Sequence, residues 1–416
     1  MARSLLMIPG PIEVSPGVQA AFSVPPPGHT APPLIAAFGS ALESMRRVWM
    51  AEPASQPFVV GGGGTLAMDM AVANLVSPGD RVVVVKTGYF SARMVEMLRR
   101  QGAEPIELDA APGEAPTLDA VEAAIVAARA PRTGTAPSSS SGGGPCTALF
   151  ATHVDTSTGV RIDPAPLALL ARRHGLLSIF DGVCATAGER FEMAEWDADL
   201  YFTASQKALG LPPGLALMVA SPRALAAGVA RVSAGGTPPP MYLDWQVWLP
   251  IMRAYEERRA AYFSTPPTNL VLALAAGLAE IEAAGGVAAR VERHRKVAAA
   301  LRTAWRALGL TLLPASDALA ANTLSAVCLP ESSTVDAATV VARIGDQGVT
   351  VAGGLLPDLK NRYFRIGHMG WVVDHPDLLR RTVTAVAAGL RAAGVGDPGD
   401  GSADSAAANS LDSLSA

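Results

Sequence analysis

Cysteine is nearly absent from this sequence. Cys146, Cys184 and Cys328 are an odd number at wide separations, which excludes both a disulfide framework and a metal-knuckle spacing and favours a reducing compartment. Charge is sparse too, at 17% of residues, and the net charge of −4 comes without any Lys/Arg cluster. There is no basic field to release counterions from nucleic acid, so no nucleic-acid partner is expected. Aromatic residues make up only 5% of the chain. No apolar run reaches membrane-spanning length either: the strongest helical candidate, Leu270 to Leu278, meets Glu280 and Glu282 long before it could cross about 30 Å of hydrocarbon. The six histidines contain no close pair at ligand spacing, so no metal is expected. Neither G-x-G-x-x-G nor G-K-[ST] occurs, which removes the standard dinucleotide and P-loop fingerprints.

Half of the 416 residues are hydrophobic, enough for a sizeable core and roughly two domains. "RVVVVK" (81–86), "CTALFA" (146–151), "LLSIFD" (176–181), "LYFTA" (200–204) and "GLALMVA" (214–220) are near-continuous apolar runs, as in strands covered on both faces. Helical stretches such as Pro164 to His174 lie between several of them. The pattern predicts an α/β fold with a largely parallel sheet. From about Gly285 it changes to long Ala/Arg helices and short strands near Thr323–Leu329 and Tyr363–Ile366, a smaller C-terminal α/β domain, with "AAGG" (283–286) as the hinge. The division is an N-terminal segment 1–22, a large domain 23–284, a small domain 285–393 and a disordered tail 394–416. "APRTGTAPSSSSGGGP" (130–145) is expected to be a disordered surface insertion. The N-terminus reaches "LLMIPGPIEVSP" at once and the C-terminus is not a peroxisomal tripeptide. The cytoplasm is therefore the expected location, with peroxisome and mitochondrion left open.

In open α/β sheets ligands gather at the carboxyl ends of strands. Asp181 ends one such run and Lys207 follows another. Alone, the first reads as a helix cap and the second as a solvated charge. "GGGGTLAMDMAVANL" (61–75) adds four glycines and Thr65 before an amphipathic helix, an arrangement that offers free backbone N–H groups to a phosphate. A phosphate cradle, an amine and a carboxylate together point to pyridoxal 5′-phosphate, whose aldehyde needs a lysine and whose ring nitrogen needs an acid.

At this point the chain resembles the class V, fold-type I aminotransferases, and within them the fungal-type alanine–glyoxylate aminotransferases. The resemblance runs from about Leu6 to Ala388 and rests on "IPGPIEVSP", "GHTAP", "GGGGT", "THVDTSTGV", "DGVCA", "TASQKALGLPPGL", "YEERRAAYFSTPP" and "VAGGLLPDLKNRYFRIGHMG". It implies a large domain with a mixed, mostly parallel sheet flanked by helices, plus the smaller α/β domain. By resemblance Lys207 forms the Schiff base and shuttles the proton, and Asp181 pairs with the pyridine nitrogen. Phe90 stacks on the ring, and Gly63, Gly64 and Thr65 form the phosphate turn. Thr156 lies near the ring oxygen and Gln206 contacts phosphate. Tyr262 and Thr265 are donated to the phosphate of a neighbouring subunit, which implies a homodimer with its active sites at the subunit interface. Arg365 grips the α-carboxylate of the substrate, a task for which its planar fork is suited. Gly63 stands where relatives commonly carry serine, which removes one hydroxyl from the cradle.

The implied reaction is a ping-pong transfer from L-alanine to glyoxylate, giving pyruvate and glycine. Serine as donor, to glyoxylate or pyruvate, is the alternative, since an apolar pocket discriminates poorly against one hydroxyl, on the order of 10²-fold. A cysteine desulfurase or lyase is a further reading and needs an accessible thiol. A non-catalytic binding protein would have lost Lys207, Asp181 or Arg365, and all three are present. His29, His153 and His368 receive no catalytic role.

Overall fold

The computed structural model describes residues 3–129, 144–395 and 402–414. The insertion expected at 130–145 therefore lies outside the described residues, apart from its last two. Those two are tied down: Gly144 N–H donates to Gly79 O and Arg81 N–H to Pro145 O.

The chain begins with β1 (Leu5–Leu6), α1 (Pro16–Phe22), α2 (Pro32–Val48), β2 (Gln56–Gly61), α3 (Gly64–Leu75), β3 (Arg81–Val85), α4 (Tyr89–Arg100), β4 (Glu104–Leu108) and α5 (Leu118–Arg129). It continues through β5 (Cys146–Thr152), β6 (Val154–Asp155), β7 (Val160–Arg161), α6 (Pro164–Arg173), β8 (Leu177–Asp181), β9 (Leu200–Ala204) and β10 (Leu215–Ala220). Helices α7 (Pro222–Ser233), α8 (Trp245–Glu256), α9 (Thr268–Ala283) and α10 (Gly286–Ala307) follow. The last part holds β11 (Thr311–Leu312), β12 (Leu324–Cys328), α11 (Ala337–Asp346), β13 (Val349–Thr350), β14 (Ala352–Gly353), β15 (Tyr363–Gly367), α12 (Pro376–Ala392) and α13 (Ser402–Asn409).

Seven strands form the main sheet in the order β2-β10-β9-β8-β5-β3-β4. Five of them, β9 to β4, run parallel, while β10 is antiparallel to both of its neighbours. The mostly apolar β8, β9 and β10 are buried along their whole length, because helices cover the sheet on either side. Two strands outside the apolar runs named above, β2 and β4, complete the sheet at its two edges. A second sheet, β11-β12-β15-β14, carries its own apolar core together with α10, α11 and α12. Helices α9 and α10 meet at 80° across Gly285 and Gly286, whose φ values of +96° and +79° favour glycine. Among the described residues no single helix is long and apolar enough to cross a membrane.

Both chain ends join the smaller core. Strand β1 pairs in parallel with β13, and Leu5 and Met7 are buried in that core. The tail expected to lack structure from residue 394 differs from that expectation at its described end: α13 forms, and Ala407 and Leu411 are buried against the smaller core. Ser410 Oγ donates to Ala300 O at 3.1 Å, and Arg391 pairs with Asp404. The Ser/Gly/Asp content obscures an Ala-Ala-Ala run of high helix propensity ending in one apolar anchor, Leu411.

Candidate active site

Strands β8 and β9 are parallel neighbours, so the residues at their carboxyl ends emerge side by side. Asp181 ends β8 and is 2% exposed, with Val183 N–H donating to its carboxylate at 2.8 Å. Burial pushes this acid up to about 7, against the Val183 bond, which lowers it, and with a smaller push from the nearby Asp155. Beyond β9 the chain turns through Ser205, whose hydroxyl donates to Pro212 O and accepts from Leu215 N–H. That turn fixes Gln206 and Lys207. Lys207 is 8% exposed, and burial lowers its amine below the usual lysine range, with Arg365 acting in the same direction. Its Nζ donates to Pro9 O. The N-terminal segment thus crosses the lysine, and Gly10 permits it: φ is +94°, and a Cβ there would lie 2.6 Å from Lys207 Cδ.

Helix α3 starts opposite this lysine turn. Gly63 is its N-cap, without a side-chain cap bond, so the first-turn N–H groups of Gly64 and Thr65 have no capping oxygen and the positive end of the helix is open. Phe90 stands in the first turn of α4. The buried Asp155 carboxylate holds that turn: Oδ2 accepts from Phe90 N–H at 3.1 Å and Ser91 N–H at 3.2 Å, while Oδ1 accepts from Ser157 N–H at 3.0 Å and Ser157 Oγ at 2.6 Å. Gly88 allows this approach, since a Cβ on it would lie 2.6 Å from Asp155 Oδ1. The turn that follows Asp155 also receives the smaller sheet, because Arg365 Nη1 donates to Thr156 O at 3.1 Å and Tyr363 OH to Ser157 O at 2.7 Å. Arg365 Nε is held by Gly353 O at 2.8 Å.

These elements enclose a cavity of about 180 Å³ lined by Gly64, Thr65, Phe90, Arg93, Thr156, Asp181, Gln206 and Lys207, among others. Arg365 reaches its rim through Thr156, and Gly63 precedes its helical wall. Tyr262 and Thr265 do not line it. Tyr262 is 62% exposed and packs near the His29 ring, with centroids 5.1 Å apart. Thr265 lines a separate, open groove with His29. Of the other histidines, His153 shares a hydrogen bond with Tyr201 OH and His368 with Ser325 Oγ, both buried. Burial lowers each of these two rings to about 3.

Pyridoxal phosphate can be tested against these residues. A cavity of about 150 Å³ admits a benzene-sized ring, so the volume suits one substituted ring. The buried Gln206 Oε1 has no hydrogen-bond partner. A side chain at Gly63 would meet nothing within 4 Å, which leaves open space beside the free helix terminus. An amine, an acid, a flat aromatic wall and an anion cradle converge here, and the residues fit the group.

Two lining or supporting residues went unread in the sequence. Arg93 follows Phe90 by three positions, a spacing that puts both on one helix face. Asp155 sits inside the quoted "HVDTSTG", but two of its partners, Phe90 and Ser91, lie 65 and 64 residues earlier in the chain.

Residues 34–356 match the family model "Aminotransferase class-V". Alanine–glyoxylate aminotransferase 1 of Saccharomyces cerevisiae is 34% identical over 380 residues, 88% of this chain and 91% of that one. L-aspartate–glyoxylate aminotransferase of Paracoccus denitrificans is 31% identical, covering 90% and 88%. The solved structure of an alanine–glyoxylate aminotransferase from Nostoc sp. superposes with a TM-score of 0.82 at 29% identity, covering 94% of this chain and 96% of that one.

Proposed function

The chain belongs to the class-V aminotransferases, and on that premise we propose that it moves the amino group of L-alanine to glyoxylate, releasing pyruvate and then glycine. The observation that carries the reading is the meeting of Lys207, Asp181 and the Arg365-bound Thr156 at one buried cavity. Bound pyridoxal phosphate supplies an aldehyde that takes up the amino group and a pyridinium that accepts the electron pair left when Cα loses its proton.

The protein's own groups do the rest. A lysine lowered by burial spends more time as the neutral amine, the form that can accept a Cα proton and return it. Asp181 is buried at a cost that raises its pKa; it would hold the ring nitrogen of the bound group, whose positive charge would offset that cost and keep the carboxylate ionised. The free N–H groups of α3 and the amide N–H donors of Gln206 suit a phosphate, while its unpartnered Oε1 can only accept. Arg365 has Nε and Nη1 fixed by two backbone carbonyls, so the guanidinium is already oriented for the substrate carboxylate. In this reading residues 23–284 form the cofactor unit, and 285–393 with the N-terminal segment form the substrate unit. A second copy of the chain brings Tyr262 and Thr265 to the phosphate of its neighbour; the exposed Met241, Tyr242 and Tyr262 favour such a face. The lyase reading is disfavoured, because burial raises the thiols of Cys146, Cys184 and Cys328, the last to about 11, and a nucleophilic thiolate needs the opposite.

The test is the visible spectrum of purified protein. The band of lysine-bound cofactor is expected to bleach with L-alanine, return with glyoxylate and be missing from Lys207→Ala. A band that ignores alanine but bleaches with L-serine or L-aspartate would replace the donor. No band after added cofactor would remove the enzyme reading itself.

A further inference from the structure

The mechanism above leaves one charged side chain in the cavity without a task. Arg93 lines it, and its Nη1 donates to Thr65 Oγ1 at 3.0 Å. The guanidinium is 5.0 Å from the Phe90 ring centroid and 5.1 Å from that of Tyr89, two aromatic neighbours that fix the direction of the fork. Among the described residues it has no carboxylate partner in an ion pair, although its helix neighbours Arg99 and Arg100 pair with Glu107 and Glu96.

Asp181 attracts it from across the cavity, but the groups that actually touch it make the position unfavourable. Thr65 belongs to the first turn of α3, the positive end of a 12-residue helix with no side-chain cap. A guanidinium bonded to that turn places two positive potentials side by side, a poor arrangement until an anion sits between them. The other cation lining the cavity, Lys207, is committed to the cofactor aldehyde. Gly63 adds no side-chain donor and leaves open space. A phosphate ester carries nearly two negative charges at neutral pH, and N–H dipoles alone match them incompletely.

We propose that Arg93 is a phosphate ligand of the cofactor site, bridging Thr65 and the phosphate at the start of α3. The proposal rests on the pyridoxal phosphate reading and adds its missing countercharge. Thr65 Oγ1 accepts from Arg93 and keeps its own proton to donate to a phosphate oxygen, so the pair acts as one donor unit.

The experiment uses full-length apo-protein, titrated with pyridoxal phosphate and, separately, with pyridoxal, which has the ring and aldehyde but no phosphate. Binding is followed by quenching of tryptophan fluorescence, with inorganic phosphate as a competitor. Arg93→Ala is expected to weaken pyridoxal phosphate roughly tenfold to a hundredfold, the loss of one or two charge-assisted hydrogen bonds. Pyridoxal binding is expected to stay within about twofold of wild type, and competition by inorganic phosphate to weaken in parallel. Arg93→Lys, which keeps a point charge, recovers part of the loss, and Gly63→Ser in the Arg93→Ala background recovers part by adding a hydroxyl in the open space. Equal weakening of both ligands would overturn the proposal and make Arg93 a support for the Phe90 wall. Unchanged affinity for both would also overturn it, and a raised KM for the amino donor alongside it would move Arg93 to the substrate. Wild-type protein that binds neither ligand would instead sink the cofactor reading, a result distinguishable from failure at Arg93.

Discussion

Asp155→Ala tests how the cavity is held open. The carboxylate is fully buried and accepts from the N–H groups of Phe90, Ser91 and Ser157 and from the Ser157 hydroxyl. Removing it leaves three backbone donors without their acceptor. Each fully buried orphan costs about 1–3 kcal/mol. The first turn of α4 can recover some of this from water, because Phe90 is only half-buried. The carboxylate was also held against a burial penalty that raises its pKa, and alanine relieves that penalty. The balance is a loss of about 2–4 kcal/mol, a fall in melting temperature on the order of 4–7 °C for a unit of this size. Asp155→Asn keeps one acceptor oxygen and is expected to fall between alanine and wild type. The consequence for the site is larger than for the fold: once the start of α4 frays, Phe90 loses its fixed plane. Scanning fluorimetry of apo-protein reads the first effect, and the circular dichroism of bound cofactor in its visible band reads the second. A variant that melts within about 1 °C of wild type with unchanged cofactor dichroism would refute the argument.

Arg365→Lys keeps the charge but loses the fork and the bonds to Gly353 O and Thr156 O; kcat/KM in steady-state kinetics is expected to fall roughly 10²–10³-fold, mostly through KM. Glu189 is buried, accepts two hydrogen bonds from Asn322 and is pushed up to about 7, so its folded pKa lies above the ordinary 4.5. Its contribution is complete below that ordinary value and is lost as pH rises through about 7. The melting temperature of wild type relative to Glu189→Gln is therefore expected to decline between about pH 5 and 8, and a constant or rising difference would count against the assignment. Leu411→Asp places a charge at a fully buried position in the smaller core; it is expected to undock α13 and expose the tail to limited proteolysis, at about 2 kcal/mol or more.

Much of the fold was legible because its central strands advertise themselves. Five apolar runs coincide, within a residue or two, with β3, β5, β8, β9 and β10. Strand β4 gave no such signal: "EPIEL" alternates charge and proline with two apolar residues, and its place at the sheet edge is what tolerates that composition. The antiparallel turn at β10 was equally hidden, because strand direction follows from the connection and not from residue type. At the site, Lys207, Asp181 and the glycine turn stand at strand and helix ends; each alone reads as a solvated charge, a cap or a flexible turn, and it is their occurrence together that nominates them. Asp155 and Arg93 are not nominated in this way. Their meaning lies in contacts to Phe90, Ser91 and Thr65, which no local pattern contains.

The turn from Asp155 to Gly159 explains why the site depends on both cores at once. Its Asp155 carboxylate fixes the Phe90 wall, and Thr158 Oγ1 donates to Thr87 O at 2.9 Å in the segment before α4. Its carbonyls at Thr156 and Ser157 accept from Arg365 and Tyr363 of β15. The side of the turn facing the main sheet therefore positions a ring surface, and the side facing the smaller sheet positions a guanidinium. A displacement of β15 relative to the main sheet must strain these bonds or carry the turn, and Phe90, with it. The Thr156 carbonyl that holds the guanidinium belongs to the same turn whose Asp155 fixes the ring wall, so one segment positions both. The short hydroxyl-rich turn thus has a role that none of its side chains has alone: it ties the placement of the Arg365 guanidinium to that of the Phe90 ring.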